Sequence, residues 1–325
     1  MATHASPSSR PRLLTGGAIL LLTAGCTSTT TSADKPAGAG LVVAPPSISA
    51  VPTIVQAEDK ALPIEAYLLT SEQNRQTVAA RNILTDRCMA RFGFTSTEPP
   101  LPPGTARSDA NLTQRRYFVT NVTEAAQYGY GAKTPVSGEK PSPAPQPPAY
   151  LLALTGSPDG SLSFLPGQTP QGGQDVNGQK VPPGGCVGEA SGKLGATEAN
   201  GNGGDAQLSR DIKNTGWEKS LTDARLLAAF SAWSDCMKAK GYDYPTPIAA
   251  TDDPQWQTLG VSSEKARQTA TADATCKAEH NVVGIWYTVE SAYETALIEQ
   301  NAEALRAIKQ DIDKRVKLAA EALAS

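Results

Sequence analysis

Five cysteines are the residues of this chain whose chemistry depends most on spacing. Cys26 lies near the amino end, and Cys88, Cys186, Cys236 and Cys276 follow at wide intervals. Zinc sites and redox-active dithiols need cysteines only a few residues apart, as in Cys-x-x-Cys. The closest two here, Cys236 and Cys276, are 40 residues apart. The spacing therefore favours two disulfides among the last four cysteines and leaves three pairings open.

The sequence that follows Cys88 recurs after Cys236, 148 residues later, as the shared pattern Cys-Met-x-x-x-Gly-aromatic. Apolar residues at helical spacing precede each cysteine, and the glycine suits the left-handed residue that follows a helix. Each half also holds a second cysteine, Cys186 or Cys276, in a predicted helix. The simplest pairing joins Cys88 to Cys186 and Cys236 to Cys276. The pattern thus predicts two loosely related helical halves, each closed by a disulfide.

The remaining patterns predict a mainly α fold for residues 55–325. All four tryptophans lie after residue 209, where the chain is mostly helical in pattern. No proline interrupts residues 281–325, and apolar residues recur there every three or four positions, which predicts one long C-terminal helix of about 65 Å. The dipeptide Asn177-Gly178 predicts a small β-hairpin with very short strands. Between these elements, Pro- and Gly-rich stretches predict long loops.

A three-part pattern at the amino end predicts an export signal over residues 1–25. Arg10 and Arg12 are its charged residues, an apolar run covers residues 13–23, and small residues precede Cys26. This segment resembles the lipobox signal of bacterial lipoproteins, and the resemblance implies cleavage before Cys26 and attachment of lipid to its sulfur. Residues 26–54 are then the lipidated cysteine and a flexible tether rich in Thr, Ser, Ala, Gly and Pro.

A second resemblance rests on short strings spread along the chain. The strings are the two Cys-Met-x-x-x-Gly segments, the Tyr-Gly-Tyr-Gly run that begins at Tyr128, and the Ala-Asp-x-x-Cys run that ends at Cys276. Together they resemble a group of uncharacterised actinobacterial secreted lipoproteins over most of residues 60–310. The resemblance implies no activity.

The sequence contains few of the residues that catalysis or metal binding needs. Beyond the predicted signal it has one histidine, His280, which excludes a site built from two or three imidazoles. It has no Gly-x-Ser-x-Gly elbow, no phosphate-binding loop of the Gly-x-x-x-x-Gly-Lys type and no Asp-rich calcium loop. We therefore predict no catalytic residue, no cofactor and no metal site, and we predict that the protein is not an enzyme.

Charge and location bound the partners. The formal net charge is −3 at pH 7, and no basic patch of a nucleic-acid binder is visible. The predicted anchor places the protein on the extracytoplasmic face of the cell membrane, where its partners are the membrane itself and an envelope protein or cell-wall polymer. Our leading hypothesis is a non-catalytic interaction or envelope-structural module.

Two alternatives stay open from the sequence. A binding protein for a small molecule or cell-wall fragment requires Tyr128, Tyr130, Trp256 and Trp286 to converge on one cleft. An envelope-polymer hydrolase requires two carboxyl groups that face each other across a groove at about 5 to 9.5 Å. The pattern also leaves open whether the C-terminal helix packs within the chain or mediates oligomerisation.

Overall fold

Helices make up nearly all the regular structure, as the sequence predicts. The computed structural model describes residues 41–56, 60–95, 116–131, 145–162, 170–196 and 205–325. The predicted signal, Cys26 and residues 27–40 of the predicted tether lie outside these residues, and so do most of the stretches predicted as Pro- and Gly-rich loops. Among the described residues, no helix has both the length and the apolar character needed to cross a bilayer.

The elements follow one another as short and medium-length helices with one small hairpin. A 3₁₀ helix, Pro63–Tyr67, comes first. In chain order the α-helices are α1 Ser71–Arg91, α2 Val122–Tyr128, α3 Pro148–Thr155, α4 Gly185–Lys193, α5 Gln207–Leu221, α6 Ala224–Ala239, α7 Pro247–Thr251, α8 Gln255–Leu259, α9 Glu264–Glu279, α10 Val282–Gln300 and α11 Ala302–Ala324. The hairpin pairs β1, Asp175–Val176, with β2, Gln179–Lys180, through the predicted Asn-Gly turn.

The repeated Cys-Met-x-x-x-Gly-aromatic pattern forms the same helix end twice. In α1 the N–H of Phe94 donates to the carbonyl of Met89 at 3.1 Å, and the N–H of Gly93 donates to the carbonyl of Ala90 at 3.0 Å. In α6 the corresponding bonds are 2.9 Å, to Met237, and 3.0 Å. The two glycines, Gly93 and Gly241, have φ of 78° and 89°. This is the Schellman arrangement, in which a left-handed glycine lets the last carbonyls of a helix find donors.

Two disulfides join the helices in the pairing predicted from the sequence. Cys88 of α1 bonds Cys186 of α4, with the Cα atoms 5.5 Å apart. Cys236 of α6 bonds Cys276 of α9, with the Cα atoms 5.8 Å apart. The bridges close segments of 98 and 40 residues, for which chain entropy gives upper figures of about 4.7 and about 4 kcal/mol.

The predicted long C-terminal helix is present as α11, but the helical region after residue 281 is interrupted once and is not continuous. α10 ends at Gln300 and α11 begins at Ala302. Between them Asn301 has φ −121° and ψ 21°, and its side-chain amide donates to the carbonyl of Leu297 at 2.7 Å. Beyond the break, α11 lies along α1 and buries Leu305, Ile312 and Ala319. The far end of the C-terminal region therefore packs on the body of the same chain.

The described segment that begins at Leu41 packs with the rest of the chain, although composition predicts residues 26–54 as a tether. Val43 and Ile54 are buried, and the side chain of Asn281 holds this segment through two bonds of 3.0 Å, one from Ile54 N–H and one to the carbonyl of Pro52. Scattered apolar residues thus anchor a stretch whose average composition is that of a tether.

Candidate functional site

The four cysteines among the described residues are joined in two disulfides. One group there brings three potential metal ligands together, namely Cys236, Cys276 and Glu279. Both sulfurs are joined in the disulfide, so they have no thiolate to offer a metal. His280 lies exposed immediately after the last residue of α9. Cys26, the predicted lipidation site, lies outside the described residues.

The aromatic residues proposed for a binding cleft lie inside the core instead. Trp286 is fully buried and stacks on Trp217, with ring centroids 4.8 Å apart. Tyr130 and Trp256 form a second buried pair, with centroids 5.4 Å apart. Tyr128, the fourth residue of that prediction, is half-buried in α2. The first pair packs α5 against α10, the second packs the residues after α2 against α8, and neither pair forms a stacking platform for a ligand.

The most unusual group of polar residues is buried around α10. Glu290 and Glu294 lie one turn apart on this helix, and both side chains are fully buried. Tyr117 donates its hydroxyl to Glu290 Oε2 at 2.9 Å, and Arg116 donates its Nε–H to Glu290 Oε1 at 2.6 Å. Because the Arg116 guanidinium forms an ion pair with Glu290, that carboxylate is both hydrogen-bonded and charge-balanced inside the body.

Glu294 is less well supported than Glu290. Its Oε2 accepts the backbone N–H of Ile64, in the 3₁₀ helix, at 3.1 Å, and its Oε1 has no hydrogen-bond partner among the described residues. Burial, together with the neighbouring charge of Glu290, raises the pKa of Glu294 to about 8, although the Ile64 N–H and Arg116 act in the opposite direction. With this pKa the carboxyl group of Glu294 is mostly protonated at neutral pH, and the proton is held in the core, away from solvent.

A second buried charge group ties α9 to α6 and to the chain before α2. Asp273 and Lys277 lie one turn apart on α9, both fully buried, with Nζ 3.1 Å from Oδ2. The indole N–H of Trp233 donates to Asp273 Oδ1 at 3.0 Å, and Lys277 donates to the carbonyl of Val119 at 2.9 Å. Burial raises the pKa of Asp273 and lowers the pKa of Lys277.

A third group fastens the start of α6. Asp223 precedes this helix and accepts from the backbone N–H of Arg225 at 2.9 Å, and Tyr293 donates to it at 3.0 Å. The side-chain hydrogen bond from Arg225, together with these donors, lowers the pKa of Asp223 to about 2. Arg225 also donates to the carbonyl of Pro46 at 2.9 Å, so the same pair holds the amino-terminal segment.

One groove opens to solvent along the outer side of α6. It encloses about 390 Å³ between the helix and the segment that follows it. Its lining residues are Leu227, Phe230, Ser231, Ser234, Asp235, Lys238, Asp243, Pro245 and Thr246. Lys238 Nζ stands 4.0 Å from Asp243 Oδ1, and both side chains are more than half exposed. The groove has two acids and one base, and so carries one excess negative charge.

The buried carboxyl pair lacks the arrangement predicted for a hydrolase. Glu290 and Glu294 follow one another on a single helix and are sealed from solvent. In the groove, Asp235 is accompanied by Asp243, by the ammonium of Lys238 and by the buried hydroxyl of Ser234, which donates to the carbonyl of Tyr244 at 2.7 Å. The arrangement is therefore suited to binding by charge and shape, and the buried groups are suited to holding helices together.

Sequence reasoning did not identify the buried acids, although one signal was available. Glu290 and Glu294 are spaced by four residues in a helix whose other residues are largely apolar, next to the stripe that contains Val289, Tyr293 and Leu297. Acids inside such a stripe are costly unless they are paired, so their presence indicates partners elsewhere in the fold.

Comparison with known proteins adds no relative: no protein-family model, no curated protein and no solved structure matches the chain. Function is therefore inferred from the residues and their geometry.

Proposed function

We propose that this protein is a membrane-anchored extracytoplasmic lipoprotein that works as a non-catalytic interaction or envelope-structural module. The observation that carries the proposal is that the buried acidic side chains bond to neighbouring elements of the fold. Glu290, Asp273 and Asp223 each bond groups of other elements inside the body, where they lock helices together. The side chains best suited to chemistry are therefore committed to the scaffold, which leaves the outer surface for contact with partners.

Two further features support the location. The lipobox-like segment that ends at Cys26 supplies an anchor, and lipoproteins with two or three acyl chains stay on a membrane stably. The disulfides Cys88–Cys186 and Cys236–Cys276 suit an oxidising compartment outside the cytoplasm. The envelope-facing surface of the membrane combines both conditions.

The anchor is tested by metabolic labelling with an alkyne analogue of palmitate, followed by membrane fractionation. We expect the full chain to carry the label and to sediment with membranes, and we expect Cys26→Ser to lose the label and move to the soluble fraction. Ser28→Ala, two residues away, is the matched control and should behave as the unchanged chain. An unlabelled full chain, or a labelled Cys26→Ser variant, contradicts the proposed anchor.

The interaction role is tested by crosslinking in cells that express the full chain, followed by purification under denaturing conditions. We expect an envelope protein or cell-wall polymer to be recovered with the unchanged chain and in smaller amount with Cys26→Ser, which would no longer be held at the membrane. Recovery of neither class of partner from the anchored protein argues against an interaction module.

A further inference from the structure

The two copies of the Cys-Met-x-x-x-Gly motif differ in what covers their helices. In the first copy, α11 lies along α1: Ala80 and Leu84 of α1 pack beside Ala319, and Arg87 donates to Ser325 Oγ at 3.0 Å. The residues on this covered face of α1 have counterparts in α6, because Cys88 and Cys236 stand at the same point of the motif, 148 residues apart.

In the second copy, much of the corresponding face of α6 is exposed among the residues that the structure describes. The counterparts of Ala80, Leu84 and Arg87 are Ala228, Ala232 and Asp235. Ala228 and Asp235 are exposed, and Asp235 lines the groove described above. The helices that α6 does pack against, α5, α9 and α10, lie on its opposite side, where Leu226, Trp233 and Met237 are buried.

The exposed face of α6 includes a large apolar side chain, which a helix face that contacts only water does not require. Leu227, which lines the groove, is 49% exposed, and Ser231 lies one turn further along the same face. Residues four apart on a helix stand one above the other, so Leu227, Ser231 and Asp235 form one continuous row. We call Leu227, Ala228, Ser231, Asp235 and Lys238 the α6 outer face.

We propose that the α6 outer face, which includes two of these counterpart positions, Ala228 and Asp235, binds an α-helix of a partner protein along its length. The proposal rests on the function proposed above and specifies its contact surface. Helices pack side by side when the side-chain ridges of one enter the grooves of the other, and small residues let the two backbones approach. The Ala228 and Ser231 positions supply small side chains on this face, as Ala80 does in α1.

Charge defines the kind of helix that fits. Asp235 and Asp243 outnumber the single base, Lys238, so the groove favours a helix with a basic residue that reaches these two carboxylates. Leu227 requires an apolar or small stripe opposite it. The partner segment is therefore an amphipathic helix with small apolar residues on one side and Lys or Arg at the edge of that side, the type of helix-in-groove contact seen in many regulatory pairs.

The direct test uses a fluorescein-labelled peptide of about 20 residues, long enough to form a helix in isolation, built from Ala and Leu with Lys at four-residue intervals. Two matched peptides replace the lysines by glutamates or place a proline at the centre. With the full chain in detergent, we expect saturable binding and increased peptide helicity for the lysine peptide. The glutamate and proline peptides should bind at least ten times more weakly.

Protein variants locate the contact. Leu227→Glu and Asp235→Lys should each weaken the lysine peptide at least tenfold, and Glu218→Lys, an exposed change on α5, should leave it unchanged. Far-ultraviolet circular dichroism checks that the three variants keep the helical fold. Three results would overturn the proposal. They are absence of saturable binding, binding of the proline peptide as tight as that of the lysine peptide, and binding of the lysine peptide to Leu227→Glu and Asp235→Lys as tight as to the unchanged chain.

A photocrosslinking amino acid at Ser231, with Asn214 of α5 as the control position, separates this proposal from the proposed function. We expect the Ser231 crosslink to map to a basic helical segment of a partner protein and the Asn214 crosslink not to do so. If the whole protein recovers an envelope partner while the Ser231 crosslink maps to a second copy of this chain, to a cell-wall fragment or to no partner, the α6 contact is wrong and the interaction role stands. If no partner is recovered by either experiment, the interaction role itself fails.

Discussion

Raising the pH should destabilise this protein through the buried carboxyl of Glu294. The folded state raises the pKa of this group to about 8, against 4.5 for an ordinary glutamate. Between these two values the folded chain holds the proton and the unfolded chain has released it. The free energy of unfolding therefore falls as pH rises from about 4.5 to about 8 and changes little beyond.

The structure sets the size of the effect. Each pKa unit corresponds to about 1.4 kcal/mol, so the full shift amounts to about 5 kcal/mol, of which about 4 kcal/mol falls between about pH 5 and about pH 9. Burial is the largest cause, and the nearby Glu290 and Glu65 carboxylates act in the same direction. Arg116 and the Ile64 N–H oppose the shift, but Arg116 is already engaged by Glu290.

The assay is urea unfolding of the unchanged chain and of Glu294→Gln at about pH 5 and about pH 9. The glutamine has the same shape and does not titrate, so the variant should lack this loss of about 4 kcal/mol. Other titrating groups contribute equally to both proteins. Glu299→Gln, an exposed change on the same helix, is the control and should keep the pH dependence of the unchanged chain. Equal pH dependence in the unchanged chain and Glu294→Gln would refute the assignment of a raised pKa to this carboxyl.

Two further predictions concern the buried ion pair and the helix ends. Asp273→Ala leaves the ammonium of Lys277 buried without its partner and should lower the free energy of unfolding by about 3 to 5 kcal/mol. The double change Asp273→Leu with Lys277→Met should recover much of this loss. Equal losses in the single and double variants, measured by urea unfolding, would contradict this prediction. Gly241→Ala should cost about 1 to 2 kcal/mol through its φ of 89° alone, since no atom lies within 4 Å of an added Cβ. Gly185→Ala should cost clearly more in the same measurement, because its Cβ would lie 2.4 Å from the carbonyl oxygen of Leu154; similar losses at the two glycines would count against this account.

The features that could be predicted from the sequence are those governed by local hydrogen bonding. The glycine after each Cys-Met helix end is required by the backbone itself, because Gly93 and Gly241 adopt positive φ and close bonds within six residues. The asparagine of the hairpin turn, Asn177, follows the same logic with φ of 49°. Since the helix ends were identified correctly, the cysteines next to them could also be paired correctly.

The break in the C-terminal helix could not be predicted in the same way. Helix-forming residues flank Asn301 on both sides, and the apolar spacing continues across it with little change. The interruption depends on tertiary packing, because α10 lies against α5 and α11 must turn to lie along α1. Local pattern contains no information on these distant surfaces.

The buried charges were missed because their partners are distant in sequence. Glu290 bonds Arg116 across 174 residues, and Lys277 bonds the carbonyl of Val119 across 158 residues. A pattern that assigns charged residues to solvent is correct for most of α11, but it fails where the fold supplies a counterion. The amino-terminal segment was missed for a related reason, since Val43 and Ile54 lie in short apolar runs separated by Pro and Ser, and the surfaces that bury them are distant in sequence.

The Cys236–Cys276 bridge has a mechanical consequence for a protein that is pulled at its surface. The bridge joins α6, which carries the outer face, to α9, and the Asp273–Lys277 pair then joins α9 to the chain at Val119. A load applied to α6 is thus shared first by a covalent bond and then by bonds inside the core. At its first turn, Arg225 passes part of the same load to Pro46, in the first described segment. Force between that segment and the α6 outer face can therefore be transmitted without unwinding α6.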